Sequence, residues 1–232
     1  MTTNSRLILL FAASCAFFVL APPFLGQPFP AYQLMHWADV LDLLTPLVLI
    51  PLYWLLFTDA GRMPRPRVLI VAFLVLGAVW TLGHGMHLSA NSISNLLGPG
   101  STTVHDLVHF YDEVLSHYLW HIAIVGLSIL ILLPASAPQR QAASVPWRIV
   151  VPSAILYGFT YFAAINEGGT VPFGLPAAAL ILVGILARGR TQIRYNSLIA
   201  FFFVGYGIAL LLFVGWFGYW GGFPEFSETG LI

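Results

Sequence analysis

Six of the seven histidines of this chain lie in two short stretches that also contain carboxylates. The first, "TLGHGMHLSAN", covers residues 81–91, and the second, "HDLVHFYDEVLSHYLWH", covers residues 105–121. Imidazoles and carboxylates bind transition metals and act as general acids and bases. The single cysteine, Cys15, excludes both a disulfide framework and a cysteine-based zinc site. The two stretches therefore predict a site built from histidine, carboxylate and water.

Helical spacing sorts these residues into faces. If residues 81–91 are helical, His84 and His87 lie within about 60° of one another on one face. In the second stretch a row recurs every four residues and drifts by about 40° per step; its members are His105, His109, Glu113, His117 and His121. The members that lie deeper in the membrane, Glu113, His117 and His121, form one face of the helix. An adjoining stripe nearer the membrane surface holds His105, His109, Asp112 and Ser116.

Two imidazoles four residues apart on a helix can reach one ion, and a ligand from a neighbouring helix completes a catalytic zinc site with an open position. The predicted metal ligands are therefore His117 and His121, with Glu113 and one of His84 or His87. For the lone His36 and His105, a hydrogen-bonded residue at the membrane interface is an equally good interpretation.

The remainder of the chain is far more apolar than a soluble domain. Of 232 residues, 59% are hydrophobic and 8% are charged, and apolar runs of about twenty residues span a bilayer as helices. We expect an all-α, polytopic membrane bundle that forms a single domain over residues 1–232. The chain has no basic patch that would indicate nucleic-acid binding. The spans expected are approximately 7–25, 37–57, 68–88, 105–133, 148–166, 172–187 and 195–217.

The distribution of arginine predicts the orientation of this bundle. All nine basic residues are arginines, and with seven spans every one falls at the N-terminus or in the 2–3, 4–5 or 6–7 loop. The positive-inside rule then places the N-terminus in the cytoplasm and the C-terminus outside. The first span also resembles a secretory signal peptide, but it is rather long and lacks a convincing cleavage site, so we expect a retained helix. A plasma membrane such as the bacterial inner membrane is the expected location.

In this orientation the polar residues of spans 2 to 5 all lie at the outer ends of their helices. They include Asp39 and Asp42 in span 2 and Asn166 and Glu167 in span 5. Unpaired charges in hydrocarbon cost several kcal/mol each, so a shared site in the outer leaflet is predicted. Asp39 and Asp42 are also suited to cap their helix, and Glu167 has a second interpretation as a loop acid.

The segment "SHYLWHI", residues 116–122, resembles the HxxxH-containing helix of the seven-span superfamily of alkaline ceramidases, progestin/adipoQ receptors and GPI-remodelling lipid hydrolases. The resemblance covers about seven residues and the number of spans. It implies a zinc site with three histidines, an aspartate and a serine, acting on lipid amides or esters. The pair lies in the last helix of that superfamily and in the fourth helix here. The superfamily's serine, histidine and aspartate elements lie upstream on other spans, where this chain offers His84, His87 and Ser89 as loose counterparts.

Three classes of function are compatible with these features. The first is a zinc hydrolase of lipid amides or esters, with Asp112, Glu113 or Glu167 as general base. The second is a non-haem iron or di-metal oxidoreductase acting on lipid-like substrates. The third is a non-enzymatic protein, either a metal transporter or a haem b carrier with His87 and His121 as axial ligands. A retinal protein is excluded, because the chain has no lysine for a Schiff base.

Overall fold

The computed structural model describes residues 3–60, 65–94, 96–97, 102–135, 144–188 and 190–231. Apart from one small hairpin, the regular structure in these residues is helical. Six of the helices are long and apolar enough to cross a membrane, and a seventh apolar helix, Ser5–Leu20, is shorter. The all-α prediction is thus confirmed, and the six long helices indicate an integral membrane protein.

The observed helices follow the apolar runs. In chain order they are α1 (Thr3–Leu20), α2 (Trp37–Asp59), α3 (Arg67–Ser94), α4 (Thr102–His109), α5 (Ser116–Ala135), α6 (Trp147–Glu167), α7 (Val171–Arg188), α8 (Ser197–Trp220) and α9 (Phe226–Thr229). The hairpin pairs β1 (Pro28–Phe29) with β2 (Tyr32–His36) in antiparallel fashion. Short 3-10 turns cover Pro22–Phe24 and Arg190–Gln192.

Two helix ends differ from their predicted positions. Helix α1 ends at Leu20, earlier than expected, because Pro22 and Pro23 begin a 3-10 turn and lack the N–H groups that would continue the helix. Helix α3 runs on to Ser94 instead of ending near residue 88, since no proline interrupts the polar residues after His87. Consequently the whole "TLGHGMHLSAN" stretch is helical.

The bundle is built on close helix pairs. Helix α3 packs along α5, α6 packs along α8, and α1 contacts both α2 and α6. Ile8, Phe11 and Ala12 of α1 are fully buried, so α1 contributes to the core. A Cβ atom at Gly83 would lie 2.8 Å from the carbonyl oxygen of Ser116 and 3.0 Å from the amide of Trp120. Glycine at this position therefore allows α3 to approach α5 at the level of the histidines.

A π-helical segment, Phe110–Leu115, joins α4 to α5 in one continuous helix. It has wider turns than an α-helix and rotates the residues before it relative to those after it. The expectation that His105 and His109 share a stripe with Asp112 and Ser116 is therefore wrong. Asp112 and Ser116 are buried against the bundle, whereas both histidines are exposed.

Candidate functional site

A polar cavity of about 360 Å³ lies at the end of the bundle where α1, α3 and α6 finish and α2 and α5 begin. Titratable side chains from five separate segments meet in its wall. Its titratable residues are Asp42, His84, His87, Glu113, His117, Glu167 and Glu225. The predicted convergence of polar groups from spans 2 to 5 is therefore seen for six of these residues. Glu225 was not expected, because sequence alone gave no sign that the C-terminal tail turns back.

His87 lies between two carboxylates from other segments. Its Nδ1 is 2.7 Å from Oδ1 of Asp112, and its Nε2 is 4.0 Å from Oδ2 of Asp42. His87 Nδ1 and Asp112 Oδ1 are both buried, and neither makes a hydrogen bond of normal geometry with a described residue. Asp112 does not line the cavity. It supports His87 from behind, while the imidazole faces the cavity.

The hydrogen bonds of His117 assign its tautomer. Its Nδ1 lies 2.9 Å from the carbonyl oxygen of Glu113, which can only accept, so Nδ1 carries the proton. Nε2 then keeps a free lone pair. The carboxylate of Glu113 is also close, with Oε2 at 3.6 Å from the same ring nitrogen.

His121 is held by a threonine. Its Nδ1 is 2.6 Å from Oγ1 of Thr170, and that hydroxyl lies 3.3 Å from the carbonyl oxygen of Ile165. The hydroxyl proton can go either to Ile165 or to His121 Nδ1, so this contact does not fix the tautomer of His121. Nε2 of His121 is buried without a hydrogen-bond partner among the described residues. His121 does not line the polar cavity but a smaller one of about 20 Å³ that also contacts Trp120 and Tyr157.

The spacing of the three rings can be compared with a metal site. Ring centroids are 5.0 Å apart for His87 and His117 and 5.9 Å apart for His117 and His121. Imidazoles on one tetrahedral zinc are separated by about 5 Å, given Zn–N distances of about 2 Å. Nevertheless, within the described part of the chain no three His, Cys, Asp or Glu side chains are arranged to hold an ion. The lone pairs are available, but the rings do not converge.

Gly168 was missed in the sequence, although it lies against two of these rings. A Cβ there would be 2.9 Å from Cε1 of His121 and 3.1 Å from Cγ of His117. The only signal available was the "EGG" turn that ends α6. Any larger side chain at this position would displace both rings.

The C-terminal tail folds back over the cavity. Oε2 of Glu167 accepts hydrogen bonds from the backbone amides of Phe226 at 2.6 Å and Ser227 at 3.4 Å. The carbonyl oxygen of Pro224 accepts from the side chains of Asn166 at 2.8 Å and Trp216 at 3.0 Å. Glu167, a candidate general base in the sequence, thus uses one carboxylate oxygen to hold the tail.

Glu225 enters the cavity with this tail. Burial raises the pKa of its carboxyl to about 7, and the neighbouring carboxylates of Glu167, Glu113 and Glu228 add to the rise by repulsion. The carboxyl group of Glu225 therefore changes between its protonated and ionised forms near neutral pH.

Other polar residues of the predicted site lie elsewhere. Oδ2 of Asp39 accepts a hydrogen bond from the backbone amide of His36 at 2.7 Å, which agrees with a capping role at the start of α2. His105 and His109 are exposed on α4 and do not line the cavity.

A second, apolar cavity of about 580 Å³ adjoins the polar one. The two share four wall residues: Val19, Pro23, Ala164 and Glu167. The apolar walls come mainly from α6, α8 and the tail, and include Phe159, Phe162, Leu212, Trp216 and Phe226. One side of the histidine site is therefore suited to a hydrocarbon group.

Comparisons with family models, with curated proteins and with solved structures found no match to this chain.

Proposed function

We propose that this protein is an integral membrane hydrolase that cleaves amide or ester bonds of lipid-like substrates. The observation that carries the proposal is the shared wall between the two cavities. A histidine- and carboxylate-lined cavity of about 360 Å³ adjoins an apolar one of about 580 Å³. The polar cavity suits the amide or ester bond to be cleaved, and the adjoining apolar cavity suits the hydrocarbon chain attached to that bond.

The carboxylates take different roles in this proposal. Glu113 lines the cavity with a partly exposed side chain and is the general base that removes a proton from the attacking water. Asp112, buried behind His87 at 2.7 Å, orients that imidazole. Oε2 of Glu167 accepts hydrogen bonds from the backbone amides of Phe226 and Ser227. We therefore assign Glu167 the role of holding the C-terminal tail against the cavity and not that of the base.

The donor chemistry supports a zinc ion, with iron as the alternative. His117 and His121 each have Nδ1 engaged in a hydrogen bond, the arrangement that fixes ligating histidines and leaves Nε2 to bind a metal. The orphaned Nε2 of His121 fits a ligand role. These two residues would hold the ion with His84 or His87, and their rings would have to converge for this, since no three described side chains are arranged to hold an ion as they stand. When bound, zinc supplies Lewis-acid polarisation and activation of water.

The proposal includes the orientation expected from the arginines. The cavity lies at the opposite end of α1, α3 and α6 from Arg6, Arg67 and Arg148. With these arginines in the cytoplasm, the cavity would open on the outer side of the plasma membrane. The proposal counts α1 as a seventh span, and the packing of Ile8 and Phe11 in the core supports this. A topology reporter fused after Gly222 should then read as external.

Elemental analysis and turnover of the purified protein test the function. The parent protein should contain about one zinc per chain and hydrolyse the p-nitrophenyl ester of dodecanoic acid. His117→Ala should lose most of the zinc and the activity, because removal of one ligand removes a large part of the binding free energy. His105→Ala, an exposed histidine on the same continuous helix, is the matched control and should retain both.

Three outcomes would reject the hydrolase. A haem absorption band would indicate an electron carrier, iron without that band would favour the oxidoreductase, and a parent protein that hydrolyses no ester probe would lack the activity. Full zinc content and full activity in His117→Ala would instead remove only this histidine from the site.

A further inference from the structure

We propose that His84 is a neutral hydrogen-bond donor to the carbonyl oxygen of the substrate and not a metal ligand, and that Trp80 is the positioning residue that keeps it in this form. This inference rests on the proposed hydrolase function and assigns a role within the same cavity. It gives His84 and His87 different roles, whereas the sequence offered either of them equally as a metal ligand.

The tautomer of His84 follows from its bond to Trp80. The indole Nε1 lies 3.0 Å from Nδ1 of His84, one helical turn along α3. An indole N–H can only donate, so Nδ1 of His84 must be an acceptor without a proton. The proton of the neutral imidazole is then on Nε2. A ring nitrogen that carries a proton has no lone pair with which to bind a metal.

His84 thus has the opposite tautomer from His117. The ring of His117 donates from Nδ1, which leaves a lone pair on Nε2. His84 instead accepts at Nδ1 and presents an N–H group at Nε2. The site therefore combines a ring suited to bind a cation with a ring suited to bind an anionic or carbonyl oxygen.

The surroundings of His84 keep it in place. The residue is 6% exposed, and Trp80 is 1% exposed. Trp120 packs edge-on against the imidazole, with ring centroids 4.9 Å apart. His84 is also part of the wall of the polar cavity, and the hydrogen bond that the structure gives its ring is the one from Trp80 to Nδ1. Its other ring nitrogen, Nε2, is therefore left as an N–H donor, and a donor in the wall of a cavity is suited to a ligand oxygen.

The chemical role is that of an oxyanion donor. When water adds to a carbonyl carbon, the carbonyl oxygen gains negative charge, and a fixed N–H group stabilises that charge without giving up its proton. His84 therefore ends the step in the form in which it began. In the proposed zinc site the third ligand would then be His87, which Asp112 contacts at 2.7 Å.

Enzyme kinetics with matched tryptophan variants test this role. His84→Ala should lower kcat for the p-nitrophenyl dodecanoate probe by about 10²–10³-fold, the usual cost of one oxyanion donor, with zinc content unchanged. His84→Gln, which returns an N–H group near the position of Nε2, should recover part of that loss. Trp80→Phe removes the indole N–H and should lower kcat by less than His84→Ala does. Trp54→Phe alters a tryptophan that packs against Phe57 and Phe73 and does not line the cavity, and it should leave kcat near that of the parent.

The tautomer is measured directly by ¹⁵N nuclear magnetic resonance of protein with labelled histidine, with His84→Gln to assign the signal. The parent should show His84 unprotonated at Nδ1 and protonated at Nε2, and Trp80→Phe should yield a mixture of both tautomers. Adding N-methyldodecanamide, an uncleaved amide, should shift the Nε2 proton resonance.

The outcomes separate this inference from the hydrolase itself. Loss of zinc in His84→Ala would make His84 a ligand, and a proton on Nδ1 would contradict the Trp80 bond; either result overturns the inference. If the parent hydrolyses no probe, the proposed function fails. The tautomer and the amide-induced shift then decide whether His84 is a donor to a bound carbonyl.

Discussion

Two groups of polar side chains are buried in this bundle, and they differ in how completely their hydrogen bonds are formed. In the core, the Tyr157 hydroxyl lies 3.4 Å from that of Tyr53 and 3.3 Å from both Ser128 Oγ and the Tyr206 hydroxyl. At the cavity end, His121 Nε2 and Asn166 Oδ1 are buried without a hydrogen-bond partner among the described residues, and His87 Nδ1 and Asp112 Oδ1 have only each other, 2.7 Å apart.

This difference indicates different roles. A buried polar group without a partner costs about 1–3 kcal/mol, so a protein keeps several of them together only where something else is gained. The paired hydroxyls serve the fold, whereas the incompletely paired histidines and carboxylates leave capacity for a ligand. Changes at the cavity should therefore affect activity more than stability, and changes in the tyrosine cluster should do the reverse.

The largest expected effect is on activity at the cavity. Glu113→Gln keeps the size of the side chain but removes the base, so turnover of the dodecanoate probe should fall by about 10²–10⁴-fold, or about 3–5 kcal/mol in the barrier. Zinc content and the thermal midpoint should remain as in the parent. Asp106→Asn, an exposed acid on α4, is the control. Loss of zinc in Glu113→Gln would make it a ligand, and unchanged turnover would exclude it as the base.

A smaller effect is expected where the two helices that carry the histidines touch. Gly83→Ala places a methyl group 2.8 Å from the backbone oxygen of Ser116, and such overpacking should destabilise the protein by about 1–3 kcal/mol. Gly85→Ala, two residues along α3 with no atom within 4 Å, should be neutral or slightly stabilising. The free energy of unfolding measured in bicelles compares the two. Equal values would contradict the close approach of α3 and α5.

The tyrosine cluster should respond in stability alone. Tyr157→Phe removes the hydroxyl shared by the cluster and should cost about 1 kcal/mol of stability, while turnover stays within about twofold of the parent. The control is Tyr195→Phe, an exposed tyrosine that lies before α8. A large loss of turnover with unchanged stability would show that the cluster takes part in function and would remove the distinction drawn above.

The smallest effect concerns the tail and depends on pH. The pKa of Glu225 is raised to about 7 by burial and by Glu167, Glu113 and Glu228. When the tail is docked, Glu225 binds its proton more tightly than when the tail is free. Docking of the tail should therefore be strongest below about pH 4.5 and should weaken as the pH rises through 7. A spin label at residue 229, with Cys15 replaced by alanine, should therefore become more mobile between pH 5 and pH 8.

Glu225→Gln is the informative variant for this effect. It removes the ionisation at residue 225 and should leave the mobility of the label nearly constant over the same range. Asp106→Asn, remote on α4, should behave like the parent. If the parent shows no change in mobility with pH, Glu225 does not control the docking of the tail.

Much of the architecture was determined by the sequence itself. Apolar runs of about twenty residues can satisfy their backbone polar groups in a membrane only as helices, so helix boundaries follow from local composition and from breakers such as Pro22. The gathering of polar groups at one end also follows from sequence, because antiparallel helices bring the starts of α2 and α5 beside the ends of α3 and α6.

The tertiary structure decided which of these groups face one another and in what form. The π-helical segment buries Asp112 against His87 and leaves His105 and His109 exposed. No periodicity in the sequence predicts that these turns are wider than those of an α-helix. The docked tail adds Glu225 to the cavity through contacts to Glu167, nearly sixty residues away. Regular α-helical phase and span order are local or topological properties, whereas burial, close approach at Gly83 and the proton on each imidazole depend on neighbours from distant segments. For that reason the sequence could indicate a histidine site, and only the fold could show that Nδ1 of His84 accepts a hydrogen bond whereas Nδ1 of His117 donates one.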